Sequence, residues 1–222
     1  MRSKSGESDC VFKIITVPMK NNIEIDKSLN AIRVAWLSVG DHPNIATFLG
    51  CTYEQSTQQF IIATDFSDGL SLREHIHDGI PIPEQVVGGI VAQTLSALAH
   101  MHKNAHTCHR DLKPSNLLLT TSGAVKVTDL SQSRQLNSTL EAMGTFLGAQ
   151  IYMSPERIQG APYTSRCDVW SLGLIALQCA VGRYPYFPAG AEPMAAVIVA
   201  IEEGPPPALE EEGLVPPAAR DF

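Results

Sequence analysis

Basic residues are scarce in this chain. Sixteen lysines and arginines stand against 23 aspartates and glutamates, for a net charge of −7, which excludes the positive footprint of a nucleic-acid-binding surface. Long apolar runs are missing as well. The stretch 172–181 is broken by Gly173 and Gln178, and no run approaches the roughly 18 residues that a membrane helix needs. Neither nucleic acid nor a membrane is therefore an expected partner, and the chain reads as soluble. The polar stretch 1–9 lacks the apolar core of a secretory signal. Cysteines 10, 51, 108, 167 and 179 are odd in number and scattered, without a CxxC pair. That pattern predicts reduced structural thiols in a cytoplasmic protein and gives no reason to expect a zinc site.

What is present is the composition of a folded protein. Hydrophobic residues make up 44% and charged residues 18%, so the disorder signature is absent. A chain of 222 residues can bury most of its apolar surface as one large domain or as two lobes sharing a cleft. The segment 11–17 is short and β-branched, a strand whose one charge, Lys13, faces inward or into a cleft. Ile25, Leu29, Ile32, Trp36 and Val39 then recur at helical spacing, ahead of Gly40 and Pro43. Segments 48–53 and 60–65 read as a hairpin, although 54–59 offers no glycine turn. After Ser67, Asp68 and Gly69 the pattern changes from strands to helices, which marks a hinge. Pro83 and Glu84 suit the first turn of a helix running to about 103. Its buried face would be Val87, Ile90, Val91, Thr94, Leu95, Leu98 and Met101. Two short strands, 117–119 and 124–127, flank a turn at 121–123. Segment 131–150, rich in Ser, Thr, Gln and Gly, reads as a long surface segment, 170–181 as a helix buried all round, and 204–222 as a surface loop. There are no internal repeats.

The chemistry is concentrated in HRDLKPSN, residues 109–116. Asp111, an asparagine five residues on and Asp129 eighteen residues on would supply one carboxylate to orient a hydroxyl nucleophile and two oxygen ligands for Mg²⁺. Together with SPE at 154–156 and DVWSLG at 168–173, this set resembles the catalytic loop, activation-segment end and central helix of eukaryotic protein kinases. The run GAQIYMSPERIQGAPYTSRCDVWSLGLIALQCAVGRYPY is more narrowly similar to the mitogen-activated protein kinase kinases.

The resemblance implies an α+β, two-lobed fold and a single partial kinase domain over 1–222. An incomplete β-rich N-lobe and hinge would span 1–68, and a mainly helical C-lobe lacking its last helices 69–222. It implies ATP and Mg²⁺ as cofactors, a downstream kinase as protein substrate and an upstream kinase as activator. By position, Asp111 matches the catalytic base, and Lys113 the side chain that neutralises the γ-phosphate. Asn116 and Asp129 match the metal-holding pair, and Lys13 the lysine that holds the α- and β-phosphates. Thr64 falls at the gatekeeper, with Asp65 to Ser67 beside the adenine. Thr139 and Thr145 are spaced like paired phosphorylation sites, Arg110 is the side chain to meet such a phosphate, and Asp168 would anchor the catalytic loop. His106 reads as a turn residue.

Several positions depart from that pattern. No GxGxxG precedes Lys13, and the chain ends before the family's last helices, so it reads as truncated at both ends. Arg33 stands where a helix glutamate should pair with Lys13, and two cations there would repel. Asp-Phe-Gly becomes Asp129, Leu130, Ser131, and Ala149 replaces a threonine. A pseudokinase that scaffolds a cascade without transferring phosphate is the alternative these departures favour.

Overall fold

A computed structural model describes residues 9–19, 21–130, 150–186 and 194–207. Its first part is a three-stranded antiparallel sheet in the order β1-β3-β2, with β1 Cys10–Thr16, β2 Phe48–Glu54 and β3 Gln59–Asp65. Helix α1, Asn22–Val39, begins three residues ahead of the apolar stripe. The reason is local: the Asn21 side chain accepts from the Glu24 backbone N–H at 2.9 Å and caps the helix. The β2–β3 turn manages without glycine because Gln58 takes φ +54, the left-handed conformation otherwise supplied by Gly.

The second part is helical. Helix α2 is Leu72–His75 and α3 is Glu84–Lys103, with Pro83 as the cap rather than inside the first turn. A 3₁₀ turn at Pro114–Asn116 leads into β4, Leu117–Leu119, which pairs with β5, Val125–Val127. Beyond a 3₁₀ turn at Gln150–Tyr152 come α4 Pro155–Ile158, α5 Arg166–Val181 and α6 Met194–Glu203. Helix α5 starts four residues before the expected 170. Cys167 and Asp168 are buried in its first turn, so a polar opening conceals the true start of the helix.

The two parts share one core. Val17, Ile32, Trp36 and Phe60 from the first lie in the same buried cluster as Leu98, Met101, Val127 and Ile175 from the second. They are also stitched through backbone: the Ala46 N–H donates to the Val127 carbonyl at 2.9 Å and the Val127 N–H to the Asn44 carbonyl at 2.8 Å. Residues 44–46 thus lie along β5 and fix the β-rich part against the strand pair that carries the candidate site. At the C-terminus of α5, Gly182 sits at φ +74, and a Cβ there would come within 2.5 Å of the Ile80 backbone nitrogen. Only glycine fits both constraints.

One expected core residue is displaced. On α3, Ile90, Thr94, Ala97, Leu98 and Met101 are buried, whereas Leu95 is 43% exposed. Each residue advances about 100° around a helix, so Leu95 turns off the face that Thr94 and Leu98 share, and Ala97 takes its place. Leu98, 1% exposed, is expected to cost about 2–5 kcal/mol on truncation to Ala, and Leu95→Ala about 0.5 kcal/mol or less. Urea denaturation of the two variants measures the contrast, and equal midpoints would refute this placement of α3.

Candidate active site

The site is built outward from a buried carboxylate. Asp168, in the first turn of α5 where the helix dipole favours an acid, is 1% exposed. Its Oδ2 accepts from the His109 backbone N–H at 2.8 Å and from His102 Nε2 at 2.7 Å, and its Oδ1 accepts from the Arg110 backbone N–H at 2.8 Å. Burial by itself would push the carboxyl pKa up. The His102 hydrogen bond, the nearby His109 ring and the two backbone donors outweigh it and hold the group below its ordinary value.

That anchor sets the course of 109–116. Because a carbonyl only accepts, His109 Nε2 donates to the Thr128 carbonyl at 2.9 Å, which leaves Nδ1 to accept the Asp111 N–H at 3.2 Å. Arg110 takes φ +70 at the bend, and Arg157 Nη1 donates to its carbonyl. Asp111 is then presented half a turn on, and Lys113 Nζ meets its Oδ2 at 2.8 Å. Asn116 Nδ2 donates to both the Asp111 carbonyl, at 2.7 Å, and Oδ2, at 3.1 Å. With its nitrogen committed, Asn116 has its amide oxygen left to meet a cation. Thr128 N–H donates to the Asn116 carbonyl at 3.0 Å, which brings Asp129, at φ +69 and nearly buried, beside the same loop.

Among the described residues of the β-rich part, Lys13 reaches Asp129 and forms an ion pair with it. It lies on an exposed stretch of β1 rather than an inward face. Arg33 does not confront it. The Arg33 side chain is exposed and turns to the Cys51 carbonyl, 3.5 Å from Nη2, while Lys13 pairs with Asp129. Thr64 and Ser67 are buried at the end of β3 and in the hinge. The Asp65 carboxylate is consumed by structure: Oδ1 accepts the Thr47 N–H at 2.8 Å and Oδ2 pairs with Lys126. Thr139, Thr145, Ser131 and Ala149 lie outside the described residues. His106 is an exposed turn residue at φ +48.

Three structural participants were not singled out from the sequence. Lys126 ties β5 to the hinge, and His102 braces Asp168. Tyr163 lies between Arg110 and Arg157, each guanidinium carbon 5.4 Å from its ring centroid. Each depends on a partner distant in sequence, and the spacing His102 to Asp168 carries no local signal.

The donor chemistry fits a nucleotide and a hard cation. Asn116 and Asp129, joined through the Thr128–Asn116 backbone hydrogen bond, offer hard oxygen donors, and Ser67 Oγ in the hinge is buried without a hydrogen-bond partner. A fold of a small antiparallel sheet over a helical body, with such a loop at the junction, is that of protein kinases. The protein kinase domain model matches residues 2–205, and the chain belongs to that family, whose members use ATP with a divalent cation.

Within the family it is similar to mitogen-activated protein kinase kinase 2 of Arabidopsis thaliana, 38% identical over 178 residues, covering 78% of this chain and 48% of the relative. It is 46% identical over 131 residues to mitogen-activated protein kinase kinase SIPKK of Nicotiana tabacum, covering 59% and 37%. It is 37% identical over 175 residues to dual specificity mitogen-activated protein kinase kinase 1 of Dictyostelium discoideum, covering 79% and 26%. The chain spans about half or less of the length of these curated relatives.

Asp168 gives a pH prediction. A carboxyl depressed in the folded state stabilises above its ordinary value of 3.8 and loses that contribution as pH falls through the native value. Asp168→Asn leaves one buried backbone donor unsatisfied, a loss of about 1–3 kcal/mol near neutral pH. Urea denaturation from about pH 6 to about pH 2 should show the gap to wild type shrinking at the acid end. A constant gap would contradict an ionised Asp168.

Proposed function

We propose that this chain is the phosphotransfer part of a mitogen-activated protein kinase kinase. It transfers the γ-phosphoryl group of ATP, with Mg²⁺, to a Ser, Thr or Tyr hydroxyl of a downstream kinase, and an upstream kinase activates it. The reading treats 1–222 as one kinase domain with its lobe boundary near 68. The observation that carries it is the joint placement of Asp111 with Lys113 and Asn116, and of Asp129 with Lys13, at the junction of the two parts. The names of the relatives support the cascade level, and the dual-specificity label of the Dictyostelium relative supports a broad hydroxyl class. Five free thiols support a cytoplasmic location.

ATP with Mg²⁺ would supply the transferable phosphoryl group and most of the charge neutralisation. Asp111 receives the substrate hydroxyl proton: Lys113 and Asn116 occupy its Oδ2, which leaves Oδ1 facing the incoming oxygen. Lys113 also places a positive charge where negative charge gathers during in-line transfer. The Asn116 amide oxygen and the Asp129 carboxylate would be the hard donors that hold the cation, and Lys13, beside Asp129, would hold the phosphates. Thr64 and Ser67 line the hinge side for the base, while Asp65 holds the hinge to β5. Thr139 and Thr145 are the proposed sites of activation, read by Arg110.

Radiolabelled phosphate transfer to a kinase substrate by the full-length protein tests this. Asp111→Asn is expected to lower the rate by about 10²–10⁴-fold, and equal signals from variant and wild type would overturn the catalytic assignment. Thermal denaturation with Mg²⁺ and ATP at 100 times the Kd should show about 2.7 kcal/mol of stabilisation. No shift together with no transfer would leave a scaffold that binds no nucleotide.

A further inference from the structure

Where Asp168 meets the backbone of His109 and Arg110, three different metal-ligating side chains converge. His102 stands in the last turn of α3, Cys108 in the loop just before His109, and Asp168 in the first turn of α5. One ligand atom from each, the imidazole nitrogen, the Sγ and a carboxylate oxygen, all lie within 4.8 Å of one another. We propose that His102, Cys108 and Asp168 form a site for a thiophilic divalent cation of the Zn²⁺ class, with water as the fourth ligand.

The donor set selects the ion. Mg²⁺ and Ca²⁺ take oxygen ligands almost alone, whereas one imidazole, one thiolate and one carboxylate suit tetrahedral Zn²⁺. The distances are close to what such an ion needs. With Zn–N and Zn–O near 2.0 Å and Zn–S near 2.3 Å, tetrahedral ligand atoms sit about 3.3–3.5 Å apart. His102 Nε2 and Asp168 Oδ2, now 2.7 Å apart, would part by about 0.6 Å, and Cys108, within 4.8 Å of its co-ligands, would close by up to about 1.3 Å.

The parts that must move are the less buried ones. The His102 side chain is 16% exposed and Cys108 is half-buried, whereas Asp168 is clamped by two backbone amides and serves as the fixed ligand. Those amides also orient the carboxylate from outside, as the donors around a resident metal ligand do.

The proton accounting is simple. The ion takes the place of the hydrogen between His102 Nε2 and Asp168 Oδ2, and the imidazole keeps one proton by carrying it on Nδ1. The Cys108 S–H proton leaves to solvent, so one proton is released for each ion bound to the form with a neutral imidazole, and two for the form with an imidazolium. Cysteine spacing gave no hint of such a site because the thiol is single in the loop, and its co-ligands lie six residues before it and 60 after it in the sequence. The carboxylate involved also holds the backbone of the catalytic loop, so an ion bound there is joined directly to the element that positions Asp111.

Cobalt titration of the full chain in excess Mg²⁺ tests the site, because Mg²⁺ occupies oxygen donors while only a thiolate gives cobalt an intense near-ultraviolet charge-transfer band. The expected result is that band at one equivalent, its loss on adding Zn²⁺, and its absence in Cys108→Ser. It should persist in Cys51→Ser, and His102→Ala should weaken the apparent Kd at least tenfold. Wild-type protein without the band, or a band that survives in Cys108→Ser, would overturn the proposal. An unchanged Kd in His102→Ala would overturn the assignment of the imidazole.

Discussion

A single carboxylate, Asp168, holds the working geometry of this chain. Placing an ionised group at 1% exposure carries a desolvation cost of several kcal/mol. It is offset here by the His102 ring and the backbone N–H groups of His109 and Arg110, with a longer contact from the Cys167 thiol at 3.8 Å. Hydrogen bonds to charged acceptors each contribute about 1.5–3 kcal/mol. Two of the donors are main chain, so the carboxylate fixes the path of the loop itself. The positive φ of Arg110 is tolerable because its N–H and its carbonyl are both held, by Asp168 and Arg157.

The rest of the site follows from that clamp by short covalent and hydrogen-bonded steps. His109 passes the constraint to Thr128 through one ring nitrogen and to Asp111 through the other, and Asn116 returns it to Thr128 through the backbone. Asp111 and Asp129 thereby share one scaffold although they arrive from different segments. The β-rich part is then registered against this scaffold by residues 44–46 along β5 and by the Asp65–Lys126 pair. Only after that registration does Lys13 come within reach of Asp129.

The placement of polar side chains explains why some residues that look functional are structural. Asp65 lies in the hinge, yet one of its oxygens holds the Thr47 backbone within the β-rich part and the other ties that part to Lys126 of β5. Arg33, which by sequence position looks like a direct obstacle to Lys13, turns along the helix surface to a carbonyl and leaves the lysine alone. In each case the identity of the residue was known and its direction was not, because direction is set by neighbours distant in the chain.

The sequence by itself determined the protein family, the five strands, the long helices α1, α3 and α5 and the residues of the loop, since these rest on local periodicity and on motifs with fixed spacing; the short α2 and α4 and the helix α6 were not read from it. The strand-to-helix change after Ser67, the strand pair at 117–127 and the clustering of Asp111, Lys113 and Asn116 were all legible there. Boundaries set by capping or a buried polar turn were not, as the early starts of α1 at Asn22 and of α5 at Arg166 show. The outward turn of Leu95, the Lys13–Asp129 pair, the Lys126 tie and the meeting of His102, Cys108 and Asp168 were decided only by tertiary structure. Each depends on through-space contact between elements that are far apart in the chain, and such contacts leave no periodic trace in the residues that make them.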